Sequence, residues 1–163
     1  MKHLWIGSLL FSFSLFAAAG SSDQKLMVKF GQGDASEVEL AKIVASNATT
    51  AEAMDFANLM IADHSRAFDR LQKIASAENV TLSRGMDDEH QKFAAKLAKT
   101  KLGRAYDRTY IGEMVKDHVK DTNEVKKSLS KISNPDFRNW AQDELQTVQK
   151  HLKLARQARA RLR

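Results

Sequence analysis

The sequence predicts an all-α protein, a bundle of four long helices with a short extra helix in the crossover between two hairpins. Three observations carry that expectation. Seven glycines and one proline in 163 residues leave few breaks for the many short strands of a sandwich or barrel. Apolar residues recur at steps of three and four through long segments, as one face of a helix requires. Capping signals stand where those segments begin. At this length one domain buries roughly two-thirds of its unfolded surface without staples.

The elements follow in chain order. Residues 1–19 read as a secretory signal peptide: Lys2 and His3 form a positive start, Leu4 to Phe16 an apolar run, and Ala17-Ala18-Ala19 a small-residue cleavage site. The run is shorter than the roughly 20 residues of a membrane span, which favours cleavage over anchoring. Residues 20–33 read as a flexible leader, and residues 34–163 as the bundle. Asp34-x-x-Glu37 resembles a capping box and opens helix A, about 35–48. Thr49-x-x-Glu52 opens helix B, about 51–78; helix C covers about 86–101 and helix D about 104–132. Asn134-Pro135 is a cap followed by proline at the first helical position, and starts helix E.

Composition excludes several chemistries. With no cysteine, disulfides, thiolate catalysis, thiolate metal sites and a lipid-modified N-terminal cysteine are all ruled out. The formal charge of +6, or +5 without Lys2, is mildly basic with acidic residues interspersed. The basic end of helix E, with Lys153, Arg156, Arg159, Arg161 and Arg163, suits the helix C-terminus or a weak contact with an anionic membrane surface. Nucleic acid is not expected, since no aromatics interleave those charges. No His-Glu-x-x-His, Gly-x-Ser-x-Gly or phosphate-cradling loop is present.

Three histidines stand where apolar residues belong. In helix B the stripe is Phe56, Met60, His64, Ala67, Leu71 and Ile74. His118 interrupts the stripe of helix D and His151 that of helix E. Met60-x-x-Asp63-His64 is echoed by Met114-x-x-Asp117-His118. Counting about a turn at residue 50 sets Glu37 level with His64, and counting about residue 134 sets His118 level with His151. Glu37, His64, His118 and His151 are therefore expected in one buried layer. Such a layer suits one transition-metal ion, with zinc, iron or copper(II) matching imidazole and carboxylate donors. It equally suits a structural hydrogen-bond network that sets helix register without metal.

Asp63 and Asp117 sit about 100° around the helix from their histidines. They are expected either to orient a histidine on an adjacent helix or to pair with lysines at a seam. Glu144, two turns from His151, is expected outside the layer, and Tyr106 and Tyr110 in the core with their hydroxyls at the rim. The Glu-x-x-His of di-iron bundles is absent before all three histidines. A metalloenzyme would further need an open coordination position and a substrate cleft, so a non-catalytic role is favoured.

Glu37-Val38-Glu39-Leu40, Met60-x-x-Asp63-His64, Tyr106-Asp107-x-x-Tyr110, Asp117-His118 and Leu145-x-x-Val148-x-x-His151-Leu152 together resemble the bacterial domain of unknown function 4142. The resemblance spans about residues 34–158. Tyr106 stands where that family usually has phenylalanine, and Gln146 where it often has proline. The resemblance implies a ferritin-like up-down four-helix bundle in an exported protein of the periplasm or outer envelope, and implies no established activity.

Overall fold

The computed structural model describes residues 21–163; the expected signal segment lies outside the described residues. The fold is all-helical, and no strand occurs among the described residues. Four long helices, α1 (Ser21–Ala45), α2 (Ala51–Ala77), α4 (Arg104–Ser128) and α5 (Pro135–Arg161), accompany one short helix, α3 (Asp88–Ala98).

Starts and stops have local causes. Thr50, Asp87 and Asn134 accept hydrogen bonds from the backbone N–H of Ala53, His90 and Phe137 at 3.4, 2.8 and 2.9 Å. The cap of α2 is thus Thr50 and not Thr49 of the expected Thr49-x-x-Glu52 box, whose hydroxyl binds Asp107 instead. Asn79, in the left-handed region at φ 57°, ends α2. The N–H of Val80 donates to the carbonyl of Ala75 and that of Asn79 to Ser76, the pairing of a Schellman motif. Gly103 precedes α4 at φ 117°, a conformation that suits glycine.

The expected leader is corrected by the structure. Residues 21–33 form the first half of α1, and Asp34 lies inside that helix rather than capping it. Glycine and serine lower the propensity of this stretch, but its packing outweighs that cost. Met27 is fully buried. Phe30 stacks on Trp140 with ring centroids 5.9 Å apart. Gly31 permits close approach: a Cβ there would stand 2.9 Å from Leu82 Cδ1.

α1 packs along α2, and α4 along α5. The two hairpins meet chiefly through α2 and α5, while α3 lies against both α1 and α4. Each hairpin also clamps the other's turn. Asp107, at the start of α4, accepts from the Thr49 hydroxyl at 2.8 Å and from the N–H groups of Thr49 and Thr50. Asp23, at the start of α1, accepts in the same way from the Ser133 hydroxyl at 2.7 Å and the N–H groups of Ser133 and Asn134. No helix among the described residues is long and apolar enough to cross a membrane.

The apolar interior is divided. One cluster gathers Leu40, Phe56, Met60, Leu97, Tyr110 and Met114; the other gathers Met27, Phe68, Leu71, Val125, Phe137 and Trp140. Along every long helix, buried polar side chains separate the two: Asp34 and Glu37, His64, His118, and Glu144 with His151. This slab is where function must be sought, since burying polar groups costs stability unless they are partnered.

Candidate metal centre

Three helices converge on three imidazoles. His64 comes from α2, His118 from α4 and His151 from α5, and all are buried. Their ring centroids are 5.9 Å (His64–His118), 5.1 Å (His64–His151) and 5.3 Å (His118–His151) apart. One nitrogen of each lies within 4.8 Å of one nitrogen of the other two. Phe56 flanks the group, its ring centroid 6.3 Å from those of His118 and His151.

Each ring is anchored through one nitrogen. His64 Nδ1 pairs with Asp34 Oδ1 at 2.8 Å, and His118 Nδ1 with the Met114 carbonyl at 2.9 Å. His151 Nε2 pairs with Asp63 Oδ2 at 3.0 Å. The other nitrogens, His64 Nε2, His118 Nε2 and His151 Nδ1, have no hydrogen-bond partner among the described residues. An imidazole held by carboxylate or carbonyl at one nitrogen and free at the other is oriented as ligating histidines are.

Charges around the rings shift their protons. Burial and the neighbouring His64 hold His151 down to about 4. Burial likewise depresses His118 to about 4, despite the charge of Glu37. Burial also opposes a charge on His64, but the hydrogen bond and charge of Asp34, with Glu144 and Glu37 behind it, raise it to about 10. His118 and His151 are thus neutral at pH 7, while His64 shares a proton with Asp34.

The remaining expected residues take different places. Glu37 stands beside the histidine triad rather than within it: it groups with His118 and Asp121 on one side and with His90 and Asp117 on the other. The α1–α2 turn spans residues 46–50, so its centre falls before residue 50 and sets Asp34 opposite His64. Asp63 fills both roles considered for it. It binds His151 on the adjacent helix, and it also pairs with Arg66 at 2.6 Å and Lys150 at 3.3 Å. Asp117 is half-buried and faces Glu37 and His90 rather than a lysine seam.

Two expectations need correction. Glu144 is buried in the slab with its Oε1 3.9 Å from His64 Nδ1. Distance along α5 from His151 did not limit its reach toward a different helix. Tyr106 and Tyr110 are also buried to their hydroxyls, neither of which has a hydrogen-bond partner among the described residues. Phe93 and Leu97 of α3 join the apolar cluster that holds both tyrosines, so the crossover helix closes over what would have been a rim.

Four contributors escaped sequence reasoning: Asp34, His90, Asp121 and Glu144. A signal existed for some. Asp34 and Glu37 are three apart on α1, and Asp117 and Asp121 four apart on α4, spacings that place each pair on one helix face. His90 carried none, because α3 is short and its placement depends on the crossover.

A cavity of about 490 Å³ leads to this slab between α1, α3 and α4. Its lining runs from the exposed Lys29 and Glu89 to the buried Glu37, His64 and Glu144. Burial and the charge of Glu37 push Asp117 and Asp121 up to about 7. Burial and Asp34 push Glu144 up to about 8. Glu37 itself, although buried, is held down to about 2 by His90, His118 and His64. The two lysines on the lining are already paired, Lys29 with Glu124 and Lys120 with Glu89. Buried His, Glu and Asp groups of this chain are thus close enough to hold a metal ion.

No curated protein matches the chain. Among solved structures, a crystal structure of a DUF305 fragment from Deinococcus radiodurans is similar, with a TM-score of 0.77 at 12% identity. The match covers 88% of this chain and 98% of that one, and at such identity it is a likeness of fold. The family described as Domain of unknown function (DUF4142) matches residues 14–158, nearly the whole sequence and every residue of the slab. The chain belongs to that family.

Proposed function

We propose that this protein is an exported, ferritin-like four-helix bundle of the periplasm or outer envelope that holds one transition-metal ion. The ligands are His64 Nε2, His118 Nε2 and His151 Nδ1. One observation carries the reading: three buried imidazoles, each anchored at one ring nitrogen and unpartnered at the other, stand with one nitrogen of each within 4.8 Å of the others. Three imidazole nitrogens, with His64 giving up its second proton on binding, suit zinc, copper(II) or iron(II) and leave room for a further ligand. Export rests on the positive start, apolar run and alanines of residues 1–19. The bundle reading rests on two long-helix hairpins with a short helix in the crossover.

A second reading is favoured by the charged His64–Asp34 pair: a metal-free plug that sets the register of the helices as part of an interaction module. Melting experiments separate the two. Protein taken from the exported fraction, stripped of metal and assayed for residual ions, is melted with and without zinc or copper(II). At free metal a hundredfold above its dissociation constant the gain is about 2.7 kcal/mol. His118→Ala is expected to abolish that gain. A verified metal-free wild type that shows no shift with either ion leaves the plug reading standing.

A further inference from the structure

Next to the triad lies a second cluster that does not depend on whether the triad holds an ion. Glu37, His90 and Asp117 each offer a ligand atom within 4.8 Å of the others, and Asp121 stands at the same spacing from Glu37 and His118. Glu37 is 3% exposed, and neither of its oxygens has a hydrogen-bond partner among the described residues. A carboxylate so deeply buried needs donors or a cation. The group best placed to donate is His90, yet its Nε2 stands 3.8 Å from Glu37 Oε1 and is itself unpartnered. That distance is beyond a hydrogen bond but leaves space for an ion bound to both.

His90 is prepared for such a role. Its Nδ1 pairs with Asp87 Oδ1 at 2.8 Å, so Nε2 is aimed by a carboxylate anchor. Asp87 is also the N-cap of α3, accepting from the His90 N–H at 2.8 Å. The start of the helix therefore fixes where His90 stands. The lysines lining this cavity are engaged with Glu89 and Glu124.

We propose that Glu37, His90 and Asp117 form a second site that takes a divalent cation favouring oxygen donors, such as manganese(II). One imidazole with two carboxylates is a harder donor set than three imidazoles, so the two sites sort ions differently. The short helix of the crossover gains a role from this, since α3 delivers His90 across the cavity between α1 and α4.

Titration of the metal-free full protein with manganese(II) alone, reading the free ion by electron paramagnetic resonance, tests the site. Wild type is expected to take up about one equivalent. Glu37→Gln and His90→Ala are each expected to weaken uptake by roughly tenfold or more. His151→Ala, which dismantles the triad, is expected to leave it within about twofold, as for sites without shared ligands. Circular dichroism checks each fold, and Glu37→Gln, close in shape, decides if His90→Ala does not fold. A wild type that takes up no manganese overturns the second site, as does uptake lost in His151→Ala and kept in the other two. Zinc-dependent melting of the same samples reports on the triad separately.

Discussion

The three triad histidines differ in what holds them, and the difference predicts how each responds to substitution. His118 is anchored by the carbonyl of Met114, one turn earlier on its own helix, so no single side-chain change frees it. His64 relies on Asp34, which is buried. His151 relies on Asp63, which is only partly buried and is shared with Arg66 and Lys150. Asp63→Asn removes the charge that orients His151 while disturbing little of the core. It is expected to lower zinc affinity roughly 10–100-fold, while melting of the metal-free variant stays close to wild type. Competition with a chelator of known strength measures the change. Unaltered affinity would mean His151 is not a ligand.

Among the elements, the reciprocal clamps explain how two hairpins joined by one crossover keep their register. Asp107 is fully buried and holds the α1–α2 turn from the first turn of α4, and Asp23 does the same for the α4–α5 turn from α1. Each carboxylate accepts both a hydroxyl and backbone N–H groups of its turn, so each is a compact set of charge-assisted hydrogen bonds. Asp107→Ala is expected to cost about 3 kcal/mol, since hydrogen bonds to a charged group contribute about 1.5–3 kcal/mol and the exposed Thr49 recovers part through water. For a domain of this size that lowers the melting temperature by roughly 6–12 °C. A loss below about 1 kcal/mol, the range of an exposed ion pair, would show that the clamp does not hold the register.

Across the whole molecule, the buried slab sets how stability depends on pH. His64, raised from 6.5 to about 10, keeps a proton in the native state that the unfolded chain has released. Its contribution is complete below pH 6.5 and is lost as pH rises toward 10. Glu144, raised from 4.5 to about 8, and Asp117 and Asp121, raised from 3.8 to about 7, act in the same direction: stability falls while only the unfolded chain has ionised them, until they ionise in the native state as well. His118 and His151, lowered to about 4, act oppositely, but their contribution is already complete above pH 6.5. The metal-free protein is therefore expected to lose stability between pH 6.5 and 8.5, by an amount on the order of a few kcal/mol. Zinc on the triad displaces the second proton of His64. The stabilisation by zinc should therefore grow with pH by up to about 1.4 kcal/mol per unit. Melts at pH 6.5 and 8.5, with and without zinc, measure both trends. A zinc increment that does not change with pH would show that His64 keeps its proton and is not a ligand.

The sequence by itself determined the helical class, the starts of α2, α4 and α5, and the core-facing burial of His64, His118 and His151. Period and caps are local properties, and a histidine on an apolar stripe is aimed at the core wherever its helix packs. Only the tertiary structure decided that residues 21–33 are helical, because Phe30 and Gly31 find their reasons in Trp140 and Leu82, far along the chain. It also decided the company of each charged group. Asp34 looked like a cap until α2 placed His64 beside it, and Glu37 was drawn from His64 toward His90 once α3 crossed the cavity. Side-chain partners across helices depend on where the turns are centred and how the hairpins dock, and a shift of one helical turn exchanges one carboxylate for the next.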